Sequence, residues 1–410
     1  MTEAARHLRI EPDSASPGTG PRLVTDIARR RVESIDVLRG IVMIIMALDH
    51  TRDYFGTFGA NPTNLTNTTV ALFFTRWITH ICAPTFFLLT GTGAGLSSLT
   101  RSKGELSKFL ITRGLLLILL EVTLLRCLAY QFNFDYQVTA LIVIWALGCA
   151  MIFLGLIVFL PVPVILGIGL VMILGHNLLD GVQSNHPLWL ILHRPGLLHV
   201  APPTVFVAYP LIPWIGVTAV GYALARVFTW EAERRRRFLS VAGLASVAGF
   251  VLLRLANVYG DPVPWSVQDR GPMFTFLSFL NANKYPPSLL FLLMTLGPAL
   301  LILRWTDRDV PGWLRPVINY GKAPFFYFFV HFALIHWLAA LTTLVRYGSA
   351  NFMFQSPSLD RYPFTAPPEW GYPLPVVYAV WLFVVAILYV PCKKVAALKA
   401  TGRYKWLSYF

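Results

Sequence analysis

Long apolar stretches recur along the whole chain, separated by shorter segments that carry most of its charge. A helix of about 20 apolar residues is long enough to cross the hydrocarbon core of a bilayer. The pattern therefore predicts an all-α, polytopic integral membrane protein with about ten membrane-spanning helices. The predicted spans, with approximate edges, are residues 35–54, 70–97, 108–129, 138–160, 162–179, 204–226, 238–257, 287–303, 318–342 and 374–391.

Composition and charge agree with a membrane protein. Hydrophobic residues make up 56% of the chain and charged residues only 13%. The formal net charge of +14 would suit a nucleic-acid partner, but most of the 34 Lys and Arg residues lie in alternate loops between the spans. Such an arrangement is typical of basic loops kept on the cytoplasmic side. It predicts that both termini are cytoplasmic and that the partner is the lipid bilayer, not nucleic acid.

The chain reads as one membrane domain with two basic ends. We predict a disordered cytoplasmic arm over residues 1–33, the membrane domain over 34–392 and a cytoplasmic tail over 393–410. The arm has no apolar core of the kind that signal peptides require. The four cysteines show no paired spacing, so neither a disulfide framework nor a metal site is predicted. Walker loops, HExxH and Gly-x-Ser-x-Gly motifs are absent from the sequence.

Ionisable residues line one face of the first predicted span. Arg39 and His50 are eleven residues apart, so at about 100° per residue they differ by roughly 20° around the helix and by about 16 Å along it. Asp36 and Asp53 fall near the same stripe. Charged groups at membrane depth are costly, which makes the stripe a candidate functional site. The alternative is an ion pair at the helix end with an interfacial histidine.

Two further spans carry polar groups among apolar residues. Arg76 and His80 are four apart on one face of the second span, at the same end of the membrane as His50. They are either part of the site or a hydrogen-bonded pair that fixes helix packing. Glu121 lies among leucines in the third span, where a salt bridge to another helix is the favoured interpretation.

The ninth span begins with a lysine and contains two histidines. Lys322, near the cytoplasmic end, is placed to meet a phosphate as a compact point charge. His331 and His336 are five residues apart, about 140° around a helix, so they cannot both face one small site. His331 is the better candidate, and His336 is interpreted as structural or interfacial.

Several of these segments resemble a known family. The segments are residues 34–40, 47–55, 73–84, 175–180, 209–214, 284–297 and 320–331. They resemble a bacterial membrane family that is similar to the catalytic domain of lysosomal heparan-α-glucosaminide N-acetyltransferase. The spacing of Arg39 and His50 also resembles the first-helix signature of the wider transmembrane acyltransferase group, whose members O-acetylate surface polysaccharides. The lysosomal enzyme is understood to carry Asn at the His50 position, so a catalytic role for His50 is implied by the wider group.

The resemblance implies acyl transfer across a membrane, the bacterial inner membrane in this case. Acetyl-CoA would be the donor, arriving from the cytoplasm, and a glycan amine or hydroxyl on the far side would be the acceptor. Assembly as a homo-oligomer is left open. The rival interpretations are a transporter or flippase of an amphiphile and a non-catalytic membrane scaffold.

Such a transfer needs a base near neutral pH, which imidazole supplies. His50 is the expected base, with His80 as its competitor. Asp53 or Asp49 would orient the imidazole ring, and Asp53 is preferred. The remaining roles would be phosphate binding by Arg39, Lys322 and Arg113, and contact with the substrate or its oxyanion by Arg76, His80, His331 and Glu121.

Overall fold

The computed structural model describes residues 21–57, 61–130, 137–356, 366–367 and 369–403. These residues form α-helices for the most part, numbered α1 to α14 in chain order. The helices are Pro21–Phe55, Val70–Trp77, Cys82–Ser97, Lys103–Leu120, Val143–Ile157, Val162–Gly175, Pro187–Leu192, Leu211–Leu224, Ala232–Ala256, Pro272–Leu280, Leu289–Thr306, Arg315–Lys322, Pro324–Tyr347 and Leu374–Ala400. A π-helical segment, Glu121–Tyr130, continues α4, and 3₁₀ turns occur at Ile78–Ile81, His176–Leu179, Ala225–Thr229, Gly312–Leu314 and Asn351–Phe354.

Within the described residues, seven helical stretches are long and apolar enough to cross a membrane. They are Val70–Ser97, Val162–Leu179, Leu211–Thr229, Ala232–Ala256, Leu289–Thr306, Pro324–Tyr347 and Leu374–Ala400. The prediction of a helical, polytopic membrane protein is confirmed at this level. The count of ten spans and the cytoplasmic location of both termini stay predictions.

A small sheet departs from the all-α prediction. Its strands are β1 (Val138–Leu141), β2 (Gly196–His199) and β3 (Thr204–Val207), in the order β1-β3-β2. β3 pairs in parallel with β1 and antiparallel with β2. The spans predicted from residues 138 and 204 were therefore wrong at their starts, because α5 and α8 begin only at Val143 and Leu211. Periodicity alone does not distinguish a strand from a helix in a short apolar run.

The ninth predicted span is two helices, not one. α12 ends at Lys322 and α13 begins at Pro324, with Ala323 between them at φ −121° and ψ 46°. Proline has no N–H to donate, and its ring disfavours helical backbone in the residue before it. The sequence Ala323-Pro324 therefore ends one helix and starts the next.

The first and last helices extend beyond their predicted spans. α1 begins at Pro21, so it includes residues 21–33 of the arm for which disorder was expected. Residues 1–20 lie outside the described residues. α14 continues through the start of the predicted tail as far as Ala400. This extension places the half-buried Lys399 in the last turn of α14, where it lines the cavity described below.

α1 contacts α3, α11, α12, α13 and α14. Its closest approach is to α12, where a Cβ on Gly321 would lie 1.9 Å from the carbonyl oxygen of Asp36. A Cβ on Gly40 would likewise lie 2.1 Å from the carbonyl oxygen of Val317. Only glycine permits this backbone contact. The contact holds the first helix against the segment that leads into α13.

α1 and α13 run in the same direction, which defines two ends of the bundle. Arg39 Nη1 donates to the carbonyl oxygen of Gly321 at 3.0 Å, just before α13 begins. Further along both helices, His50 contacts His331. We name these ends the Arg39 side and the His50 side. Arg39 therefore contacts the α12–α13 segment on one side of the bundle, and His50 contacts it on the other.

Candidate active site

A pair of histidines joins α1 to α13. Nδ1 of His50 lies 2.7 Å from Nε2 of His331, and the two rings are stacked with centroids 4.9 Å apart. Nδ1 of His331 lies 2.7 Å from the carbonyl oxygen of Tyr327, one turn earlier in the same helix. His331 is fully buried, whereas His50 is partly exposed. Within the pair, His50 is thus the member that a substrate can reach.

The partners of the pair determine which nitrogens carry protons. A carbonyl oxygen only accepts, so Nδ1 of His331 must donate to Tyr327. In a neutral His331 the other nitrogen, Nε2, then accepts, and the proton of that hydrogen bond comes from Nδ1 of His50. The hydrogen-bond network therefore assigns a lone pair to Nε2 of a neutral His50. A nitrogen with a lone pair is what a general base needs.

Aromatic rings hold the pair in place. Phe332 stacks on the His50 ring with centroids 3.7 Å apart, and Phe328 meets it edge-on at 6.4 Å. Tyr327 stacks on His331 with centroids 5.0 Å apart and an interplanar angle of 12°. These contacts leave little freedom for either imidazole to rotate. The orientation that the hydrogen bonds require is thus also the one that the packing favours.

An ion-pair network lies beside the histidines. Asp49 accepts from Arg52 Nη1 at 2.5 Å, from Thr79 Oγ1 at 2.9 Å and from Arg76. Arg52 also donates through Nη2 to Asp53 at 2.5 Å. Each charge in the network is therefore matched by one of opposite sign. The prediction that Asp53 orients His50 is not what the contacts show, since Asp53 pairs with Arg52 and the His50 ring pairs with His331.

His80 lies at the edge of this network. It belongs to the 3₁₀ turn Ile78–Ile81, is buried to 3% exposure and packs against Phe291 with ring centroids 5.2 Å apart. Its Nδ1 has no hydrogen-bond partner within the described part of the chain. The neighbouring Thr79 is the residue that reaches Asp49. Of the two histidines that compete for the role of base, His50 is the more accessible.

A cavity of about 370 Å³ opens on the Arg39 side. Its basic lining residues are Arg39, Arg101, Arg113 and Lys399. Its apolar lining includes Met43 and Phe328, the latter also in contact with the His50 ring. The cavity thus extends from a cluster of positive charges to the side chain that packs on the candidate base.

Of the three basic residues that were predicted to bind phosphate, two line the cavity and one does not. Arg39 and Arg113 line the cavity, as that role requires. Lys322 is exposed at the end of α12 and is not a lining residue, so it does not share the site. The sequence did not single out Arg101 and Lys399, because one lies in a loop and the other lies beyond the predicted end of the last span.

Two of the cavity's three arginines, Arg101 and Arg113, lie against an aromatic ring and not beside an acid. Arg101 lies over Phe109 with its guanidinium 4.2 Å from the ring centroid, and Arg113 is 5.9 Å from the same centroid. Among the described residues, neither arginine has a carboxylate within ion-pair distance. Arg39 alone has an acidic partner, Asp36, at 3.1 Å. The wall is therefore electropositive and suited to an anion.

Glu121 is buried at the start of the π-helical segment. Its Oε2 accepts from the backbone N–H groups of Ile144 and Trp145, at 2.8 and 2.9 Å. Those N–H groups belong to the first turn of α5, which has no hydrogen-bond partners within its own helix. This contact is a helix cap. The predicted salt bridge to another helix and the predicted contact with the substrate stay predictions.

One comparison with known proteins bears on this arrangement. The family model described as "Heparan-alpha-glucosaminide N-acetyltransferase, catalytic" matches residues 31–253. The chain belongs to this family. The match to the heparan-α-glucosaminide N-acetyltransferase family confirms the resemblance expected from the sequence, and it covers His50, Arg76 and His80. His331 lies outside the matched residues, so the histidine pair joins a matched helix to an unmatched one. A search of curated proteins finds no match.

Proposed function

We propose that this protein is an acyltransferase that moves an acetyl group from acetyl-CoA to a glycan amine or hydroxyl across the bilayer. The donor binds from the Arg39 side, which is cytoplasmic in this proposal, and the acceptor arrives from the His50 side of a bacterial inner membrane. One observation carries the proposal: the electropositive cavity ends at Phe328, which packs against His50. Membership of a family named for an N-acetyltransferase supports it.

The cavity suits the two chemically different parts of acetyl-CoA. Arg101, Arg113 and Lys399 would bind its phosphates, because charge-assisted hydrogen bonds to phosphate are strong. The uncharged pantetheine arm would then lie along Met43 and the phenylalanines. The three helical turns from Arg39 to His50, about 16 Å, set the distance that the arm covers. The thioester would then lie at Phe328, the cavity residue that contacts the His50 ring.

The reaction then uses the lone pair on Nε2 of His50. The nitrogen or oxygen of the acceptor attacks the thioester carbonyl carbon while His50 takes its proton. The tetrahedral intermediate collapses, the carbon–sulfur bond breaks and the CoA thiolate leaves with the electron pair. The imidazolium returns the proton to the thiolate sulfur. His331 does not touch the reacting atoms: it is a positioning residue that holds the tautomer of His50.

The developing oxyanion needs a donor, and Arg76 and His80 are the candidates. Arg76 binds Asp49 through Nη1, so its remaining N–H groups would have to serve. His80 would donate from its buried ring. Asp49 takes part indirectly, by holding Arg76 in place.

The test compares His50→Ala and His80→Ala in detergent-purified full-length protein. Transfer from radiolabelled acetyl-CoA is measured with glucosamine and with a soluble polysaccharide as acceptors, and donor binding is measured by thermal shift. We expect His50→Ala to lower kcat by about 10²–10⁴-fold without loss of acetyl-CoA binding. His80→Ala should retain more activity. Undiminished transfer by His50→Ala would falsify the proposed base.

The same preparation tests the transporter alternative. If acetyl-CoA produces no thermal shift in the wild-type protein while vesicles take up an amphiphile without any CoA ester, the acyltransferase proposal fails. Saturable stabilisation by acetyl-CoA, weakened by Arg113→Gln, supports it.

A further inference from the structure

A second polar cluster lies on the His50 side, outside the proposed path of the acetyl group. His176 belongs to the 3₁₀ turn that follows α6, Asp180 comes directly after that turn, and His193 follows α7. One nitrogen from each histidine and one oxygen of the aspartate lie within 4.8 Å of one another. Nε2 of His193 is 3.1 Å from Oδ1 of Asp180. Three potential metal ligands therefore converge from two separate segments.

The histidines of this cluster are buried with unused nitrogens. His176 is 2% exposed, and neither of its ring nitrogens has a hydrogen-bond partner within the described residues. His193 is 3% exposed, and its Nδ1 is likewise without a partner there. The two rings meet edge-on with centroids 5.8 Å apart. Buried polar atoms in native proteins are normally satisfied, so these nitrogens are suited to bind a ligand.

Asn177 holds the carboxylate of the cluster in position. Its Nδ2 donates to Oδ2 of Asp180 at 2.8 Å, which leaves Oδ1 directed at His193. Its Oδ1 accepts from the backbone N–H of Leu289 at 2.9 Å, in the first turn of α11. A second residue that orients a carboxylate ligand is a regular feature of metal sites.

We propose that His176, Asp180 and His193 bind one divalent transition-metal ion of the Zn²⁺ class. Two imidazoles and one carboxylate suit Zn²⁺, whereas Mg²⁺ and Ca²⁺ prefer oxygen ligands. The Asp180 side chain is 20% exposed, so water can reach the fourth coordination position. The ion takes one lone pair from each histidine and so satisfies at most two of the three unused nitrogens.

The proposed ion links three parts of the chain. It joins the end of α6 to the segment after α7 and, through Asn177, to the first turn of α11. The sequence analysis predicted no metal site. It did not find this cluster because His193 is thirteen residues from Asp180 and lies on another segment. A structural ion here would stabilise the outer loops of the protein.

The first measurement uses the full-length wild-type protein, stripped with a chelator and titrated with Co²⁺ and then Zn²⁺. We expect one equivalent of Co²⁺ to give the visible absorption of a tetrahedral ion, and Zn²⁺ to displace it. Zn²⁺ should also raise the unfolding temperature, as a ligand of the folded state must, whereas Mg²⁺ should not. Absence of saturable Co²⁺ and Zn²⁺ binding overturns the proposal.

Variants then locate the ion. His176→Ala and His193→Ala should each abolish both the Co²⁺ absorption and the Zn²⁺-dependent rise in unfolding temperature. The matched control is His199→Ala, which removes an exposed histidine from the same outer segment and should bind Zn²⁺ as the wild type does. Asn177→Ala should weaken Zn²⁺ binding by about 10–100-fold. If His176→Ala does not fold, His193→Ala decides. Unchanged binding in the variants that fold places the ion elsewhere and refutes this site.

Discussion

Asp49 and His50 are neighbours in α1, yet the structure gives them opposite environments. Asp49 is surrounded by charge, with Arg52, Arg76 and Thr79 all donating to its carboxylate. His50 meets a chain of neutral groups that leads through His331 to a carbonyl oxygen. The charged network contains two aspartates and two arginines, whose opposite charges neutralise one another. The neutral chain is the one that leaves a reactive nitrogen.

This difference shows that polar residues on one face of a helix can serve two separate purposes. A buried ion pair costs free energy to desolvate and is strongly destabilising to break, so it is suited to fixing helices in place. An imidazole whose tautomer is set by neutral partners holds a lone pair on one defined nitrogen without a buried charge. We therefore assign a structural role to the ion pairs of Asp49 and propose that His50, held by His331, transfers the proton. The N–H groups of Arg76 that do not bind Asp49 stay candidates for contact with the oxyanion.

The largest effect should come from breaking the neutral chain. His331→Phe keeps a ring to stack on Tyr327 but removes the acceptor for Nδ1 of His50, so kcat should fall by about 10²–10⁴-fold. The KM for acetyl-CoA should be unchanged, because the cavity is intact. In His331→Gln the amide oxygen can accept the same proton, and part of the activity should return. Equal losses in both variants would show that His331 only fills space.

Breaking the charged network should instead affect folding. Asp49→Asn leaves Arg76 without its carboxylate partner, and we expect the free energy of unfolding to fall by about 3–5 kcal/mol. Thermal or denaturant unfolding in detergent measures the loss. The double variant Asp49→Asn with Arg76→Gln should lose less than the sum of the single variants, since no lone charge remains. Strict additivity would contradict the network as the structure shows it.

The cavity provides a third case, because its residues Arg101 and Arg113 have no carboxylate within ion-pair distance among the described residues. Arg113→Gln should weaken acetyl-CoA binding about tenfold, in line with the loss of one charge-assisted hydrogen bond, and leave kcat nearly unchanged. The effect should shrink at high salt. Lys322→Gln is the matched control, because Lys322 is basic and on the same side but outside the cavity. Similar losses in both variants would mean that net charge, not the cavity, attracts the donor.

The smallest effect is expected for Asp53→Asn. The Asp53 side chain is 28% exposed, and Arg52 keeps Asp49 as a partner. We expect a loss of at most about 1 kcal/mol in stability and no change in kcat. A large fall in kcat would restore the original prediction that Asp53 orients His50.

Much of this architecture could be predicted because lipid imposes a simple rule. A helix in lipid must hydrogen-bond its own backbone polar groups, because the hydrocarbon offers no partners. Long apolar runs therefore identify helices, and the predicted ends agree with the structure at residues 70–97 and 162–179. The errors occur where the rule does not apply. β1 and β3 are short apolar runs that pair with each other, and Pro324 divides one apolar run into two helices.

The sequence by itself determined the membrane class, the family and the residue types on the face of α1, because hydrophobicity and spacing are local properties. It also identified His50, His331, Arg39 and Arg113 as residues of interest. Only the tertiary structure decided which of them work together, since His50 and His331 are far apart in the chain and meet through helix packing. The partner of a buried polar group is fixed by whichever helix lies against it, and no spacing within one helix contains that information.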